Sequence, residues 1–170
     1  MDAIPGISNN NGFWEGKIIL DVWRAFFELD RDIDLNIGGD IIVNKIETHH
    51  TAGYRYLIAN QESILDAVLS ELMKVYPQMQ LEYGYESVEK ANYMPDVLHK
   101  DDLKTIIKPQ KVYILDIVKN GTPYIGFQFF CTWDDEHGFG AMMHECSIIK
   151  TGGADSSFMS WIAEEDLINA

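Results

Sequence analysis

The chain reads as an α+β domain, a twisted and mainly antiparallel sheet with helices packed on one face, and three observations predict it. Between Tyr124 and His144, apolar residues recur at every second position through Ile125, Phe127, Phe129, Cys131 and Trp133. Alternate side chains of a strand share one face, so these five line one wall of a sheet. From Gln61 to Tyr76 the spacing changes to that of a helix, with Ile64, Leu65, Val68, Leu69, Leu72, Met73 and Tyr76 on one stripe and Asp66, Ser70, Glu71 and Lys74 off it. Strand-like runs also gather toward the two ends of the chain around a helical middle, as in an α+β layer arrangement.

Taken in order, residues 1–12, rich in Asn, Gly and Pro, predict a flexible tail before a single domain over 13–170. Lys17 to Phe27 reads as a strand that is apolar on both sides, with helix as the competing reading. Glu28 to Ile37 alternates Leu29, Ile33, Leu35 and Ile37 with acids and Asn36, the pattern of a strand with a wet face. Its aspartates mimic a calcium loop, but the sixth and twelfth positions hold Leu35 and Ile41 where Gly and Glu are required. Thr48 or Thr51 caps a helix reaching about Ala59. On it the adjacent His49 and His50 point about 100° apart, which disfavours a shared metal ion. Pro77 is expected to stop the helix that begins near Gln61, and residues 77–92 to form an irregular connection.

The C-terminal half predicts a meander of four strands. Lys111 to Val118 is followed by Asn120-Gly121, where a three-residue loop with Gly121 at positive φ pairs Ile117 with Ile125 and keeps Asp116 off the apolar face. In the next hairpin, Gly138 at positive φ closes the turn, Asp134 folds back onto backbone N–H groups, and Cys131 falls opposite Met143. Ser147 to Thr151 forms the last strand. Gly152 to Ser157 lacks the Lys and spacing of a phosphate loop, and Asp155 is expected to cap a final helical turn bearing Phe158, Trp161 and Ile162.

Net charge is −14, unevenly spread: residues 134–170 hold eight acids against Lys150 alone, half of the net charge in 37 residues. Such a field repels nucleic acid and attracts a basic protein. The N-terminal residues lack the basic start and apolar run of a secretory signal, and no stretch approaches a membrane span, so the cytoplasm is the expected compartment. Cys131 and Cys146 read as ordinary buried thiols rather than a disulfide.

The stretch YIGFQFFCTWDDEHGFG, followed by GGADSSFMSWIAEED, resembles a family of uncharacterised bacterial proteins marked by a strand and then Trp-Asp-x-Glu-His-Gly-x-Gly, here Trp133, Asp134, Glu136, His137, Gly138 and Gly140. The resemblance extends upstream through Trp14. It implies no established activity; some similar domains are suspected immunity proteins for secreted toxins.

The leading expectation is therefore a non-enzymatic, cofactor-free binding domain that docks a basic partner such as a toxin through Asp134, Asp135, Glu136, His137, Glu164, Glu165 and Asp166. One alternative is a metal-dependent enzyme using Asp134, Glu136 and His137, with His144 as a further ligand. Another is a small-ligand domain with an apolar pocket near Tyr124, Trp133 and Trp161.

Overall fold

A computed structural model describes residues 3–170. Its strands are β1 (Ser8–Asn10), β2 (Phe13–Ile18), β3 (Ile33–Gly38), β4 (Ile107–Lys119), β5 (Thr122–Cys131), β6 (Phe139–His144) and β7 (Ser147–Gly152). They form one sheet in sequence order, antiparallel throughout except for β3 beside β4. The helices are α1 (Asp21–Phe27), α2 (Thr48–Ala59), α3 (Gln61–Tyr83), α4 (Ser87–Tyr93) and α5 (Ser160–Asn169), with short 3-10 turns over Lys100–Thr105 and Ala154–Ser157. The parallel step has a simple cause: the chain leaves β3 and re-enters the sheet as β4 only after the long crossover that carries α2, α3 and α4. The predicted fold class and the C-terminal meander of β4 to β7 are both present.

Several local expectations are corrected. Residues 17–27 are not one strand; β2 ends at Ile18, and α1 buries Trp23 and Phe27, one helical turn apart, against Phe127 and Phe129. The described part of the expected tail supplies β1 and a buried Ile4, while residues 1 and 2 lie outside the described residues. Pro77 does not end its helix, which runs on to Gly84 in the left-handed conformation. Tertiary bonds on both sides of the proline explain why: the Tyr76 hydroxyl donates to Pro95 O at 2.8 Å, and Gln80 Nε2 donates to Met94 O at 2.9 Å. Residues 77–92 are accordingly mostly helical.

Both hairpin registers differ from expectation, and in β4 the faces differ as well: Leu115 lies on the side opposite Ile125, and Asp116 lies beneath α2. The β4–β5 turn has two residues, Asn120 and Gly121, both at positive φ, and Lys119 pairs with Thr122. Ile125 then faces Ile114 rather than Ile117, and a bulge between Ile114 and Val118 takes up the surplus residues of β4. In the next hairpin Phe129, not Asp135, pairs with Phe139, so Phe127 faces Ala141 and Ile125 faces Met143. Cys131 instead pairs with Ile107 of β4. The β5–β6 slip is an even six residues, so the aromatic wall of β5 keeps its face. The β4–β5 slip is three, and across the bulge it sets Val112 and Ile114, not Leu115 and Ile117, on the face of Ile125 and Phe127.

One face of the sheet presents Leu35, Val112, Ile114, Ile125, Phe127 and Phe129 to α1, α2 and α3. The other presents Tyr113, Leu115, Tyr124 and Met142 to Ile162 and Ala163, so the final helix covers the side opposite α3. The Ala154–Ser157 turn lies flat on that second face: a Cβ on Gly126 would sit 1.5 Å from Ser157 O. The first turn of α5 is tied by Asp40 rather than by Asp155: Ser160 N donates to Asp40 Oδ1 at 3.0 Å. No helix among the described residues is long and apolar enough to cross a membrane.

Candidate functional site

Two histidine–aspartate groups stand out. The first is the β5–β6 loop. Asp134 forms the predicted Asx-turn, with His137 N donating to its Oδ1 at 3.0 Å, and Gly138 (φ 66°) closes the bend through Gly138 N to Asp134 O at 2.8 Å. The His137 ring also lies 3.0 Å from that carboxylate, and the Tyr83 hydroxyl at the end of α3 donates to Oδ2 at 2.9 Å. Burial works against the charged form of Asp134, but the His137 N–H, the Tyr83 hydroxyl and the His137 ring outweigh it and hold the carboxyl below its ordinary value. The same hydrogen bond and charge raise His137 above 6.5, with Glu136 and Asp155 adding to the effect. Tyr83 is pushed up to about 12 by burial and then by Asp134.

Of the residues assigned to partner docking, Asp135, Glu136, Glu164 and Glu165 point into solvent. Asp134 is engaged within its turn. Asp166 is engaged elsewhere, accepting from the Tyr124 hydroxyl at 2.6 Å and from Lys119 Nζ at 2.9 Å, which anchors α5 to the β4–β5 hairpin. These two donors hold the Asp166 carboxyl below its ordinary value. Ala154 N donates to His137 O at 2.8 Å, bringing the start of the C-terminal segment to the loop.

The ligand set Asp134, Glu136, His137 and His144 is not assembled. Glu136 is exposed, and His144 lies at the far end of β6, where its Nε2 approaches Lys119 O at 2.9 Å and Thr122 O at 3.2 Å. Nor do Tyr124, Trp133 and Trp161 share a pocket. Trp133 packs with Tyr76 and Phe139, Tyr124 belongs to the opposite face, and Trp161 is exposed beneath Lys150 Nζ at 4.5 Å from its ring. A concavity of about 740 Å³ lies elsewhere, lined by the 28–34 turn, β4 and Phe130, with Lys17, Arg31, Lys108 and Lys111 among four acids. Both cysteines are free thiols; Cys131 is pushed up to about 11 by burial.

The second group was not expected. His49 and His50, read as diverging, both reach Asp116: His49 Nε2 donates to its Oδ1 at 2.7 Å, and His50 Nε2 lies 2.8 Å from the same oxygen. Three features assemble it. Gly53 lets α2 settle onto the hairpin, since a Cβ there would stand 2.5 Å from Pro123 Cγ. That contact sets the first turn of the helix, where His49 and His50 sit four and three residues earlier, over the sheet. The β4 bulge re-aims Asp116 toward them. Finally, His50 Nδ1 accepts Glu47 N at 2.9 Å while the Glu47 side chain accepts the His50 N–H, a reciprocal cap that fixes the ring. His50 is fully buried, and its Nε2 has no partner in hydrogen-bonding geometry although Asp116 is close. Burial, then His49, depress its pKa below 6.5 against the pull of Asp116 and Glu47. Among the described residues these are the three histidine, cysteine or acidic side chains whose ligand atoms converge within 4.8 Å. The sequence signal was His49-His50 followed by Gly53, a small residue on the same helical face.

Fold and site together define an acidic α+β domain built on a seven-stranded, largely antiparallel sheet. Residues 9–159 match the model of a domain of unknown function, DUF6985, and the chain belongs to that family. No curated protein matches the chain. No solved structure matches it either.

Proposed function

We propose that this chain is a non-enzymatic binding domain that docks a basic protein, in the manner of an immunity protein engaging a secreted toxin. The observation that carries the reading is how the C-terminal acids divide. Asp134 and Asp166 are used internally, whereas Asp135, Glu136, Glu164 and Glu165 are exposed on the loop and on α5. Acids held in water beside a rigid, hydrogen-bonded turn accelerate encounter with a cationic surface and select against anionic ones. Asp134 serves as the brace of the loop, tying it to α3 through Tyr83.

The test is capture of a basic partner by the tagged chain from cells that carry it, compared with a variant bearing Asp135→Lys, Glu136→Lys, Glu164→Lys and Glu165→Lys. The expected result is a cationic partner retained at about 50 mM salt, released near 0.5 M as screening shortens the range of the field, and not retained by the variant. Capture that is indifferent to both salt and charge reversal overturns the reading.

A further inference from the structure

We propose that His49, His50 and Asp116 form a binding site for one divalent transition-metal ion. Two imidazole nitrogens and a carboxylate are the donor set that suits zinc or iron(II), and three protein ligands leave coordination positions for water or a small ligand. The donors already converge. Both Nε2 atoms stand within 2.8 Å of Asp116 Oδ1, and all three ligand atoms lie within 4.8 Å of one another. Ligands around a tetrahedral zinc lie roughly 3.3 Å apart, given bonds of about 2.0–2.1 Å, so each nitrogen–oxygen separation needs to open by only about half an ångström.

An independent observation points to the same place. His50 Nε2 is completely buried, aimed at the cluster and without a hydrogen-bond partner. A buried polar atom left unpaired is destabilising and rare in folded proteins. Asp116 Oδ1 stands 2.8 Å away but outside hydrogen-bonding geometry with it. An ion placed between the three groups satisfies all of them at once. His49 and Asp116 have side-chain exposures of 27% and 33%, which leaves an entry path from solvent.

Metal uptake has a defined proton consequence at His50. Without metal, Nδ1 accepts Glu47 N, so the neutral ring carries its proton on Nε2. Ligation through Nε2 moves that proton to Nδ1, and the Glu47 N–H gives up this acceptor. The Glu47 carboxylate, already bonded to the His50 N–H, is the adjacent acceptor for an Nδ1 proton, forming the carboxylate–histidine–metal relay that orients metal-bound imidazoles. The site shares no residue with the acidic docking surface and does not depend on that reading.

The experiment is titration of the chelator-treated full chain with zinc chloride by calorimetry at pH 7.5 and about 0.15 M salt, a level that screens loose cation binding to surface acids. Cobalt(II) absorption in the visible region is the second readout. We expect one equivalent bound with a Kd of about 1 μM or tighter, together with a zinc-dependent rise in Tm. His49→Gln and Asp116→Asn, at the part-exposed positions, should each weaken binding by at least about tenfold and abolish the cobalt band, while remaining folded by circular dichroism. The paired change Asp134→Asn and His137→Gln should leave binding unchanged. Absence of saturable binding up to about 100 μM zinc overturns the proposal. So does affinity that is the same in His49→Gln and Asp116→Asn as in the parent.

Discussion

The two histidine–aspartate groups use the same side chains to opposite ends. In the β5–β6 loop, Asp134 and His137 are three residues apart, and His137 is largely exposed. Their pairing is local, and the fold contributes mainly the Tyr83 hydroxyl. Beneath α2, His49 and Asp116 are separated by 67 residues, and His50 is shut away from water. There the fold supplies everything: a close helix–sheet contact, a bulge and a cap. The environment reverses the titration as well. A carboxylate in water raises His137, while burial overrides the neighbouring carboxylate and lowers His50.

The comparison breaks hardest at Gly53. Gly53→Ala places a methyl group 2.5 Å from Pro123 Cγ and should lift α2 from the hairpin. We expect a loss of about 1–3 kcal/mol by chemical denaturation, as for other overpacked contacts, with the His137 resonances unmoved. If stability is unchanged, the close approach does not hold the buried cluster. Next in size, Asp116→Ala leaves two imidazoles without their shared carboxylate, one of them fully buried, and should cost about 1–3 kcal/mol. Asp134→Ala should cost less, about 0.5–1.5 kcal/mol, because water can replace most of what it bonds at the surface. Equal losses for the two aspartates would show that burial does not separate the regions.

The smallest effect is the sharpest test. In chelator-treated protein, NMR titration should find His137 above 6.5 and His50 below it. Because the folded value of His137 is raised, its contribution to stability is fully present below pH 6.5 and is lost as pH rises through the folded value. His50 runs the other way: stability is full above 6.5 and falls as pH drops through its depressed folded value. Asp134→Asn should return His137 toward 6.5 and leave His50 where it was. Movement of both would mean that the two groups are coupled.

Legibility followed the range of the interactions. The Asx-turn at Asp134 and the positive φ of Gly138 depend on residues within a few positions, and each was readable; the cap of α2 was not, since Glu47 fills it rather than Thr48 or Thr51. The continuation of α3 through Pro77 was not. Helix propensity says stop, and the bonds that override it come from Pro95 and Met94, more than a dozen residues away. Likewise Asp155 looked like the cap of the last helix, but Asp40 fills that role from 120 residues upstream. For Asp116, the sequence argument correctly held that an unpaired carboxylate cannot face an apolar wall. It then chose a longer turn to avoid the clash, where the molecule keeps the short turn, bulges the strand and gives the carboxylate two imidazoles.

By itself the sequence determined the class of sheet, the dry wall of Ile125, Phe127, Phe129, Cys131 and Trp133, and the concentration of negative charge toward the C-terminus. Those follow from side-chain period and composition, which no tertiary contact alters. Only the folded chain decided the registers, the opposite-face seat of α5 and the meeting of His49, His50 and Asp116. The reason is physical: a two-residue period groups side chains by face but does not choose the partner, so even slips are allowed, and odd ones across a bulge as in β4, until distant backbone and side chains meet and select one.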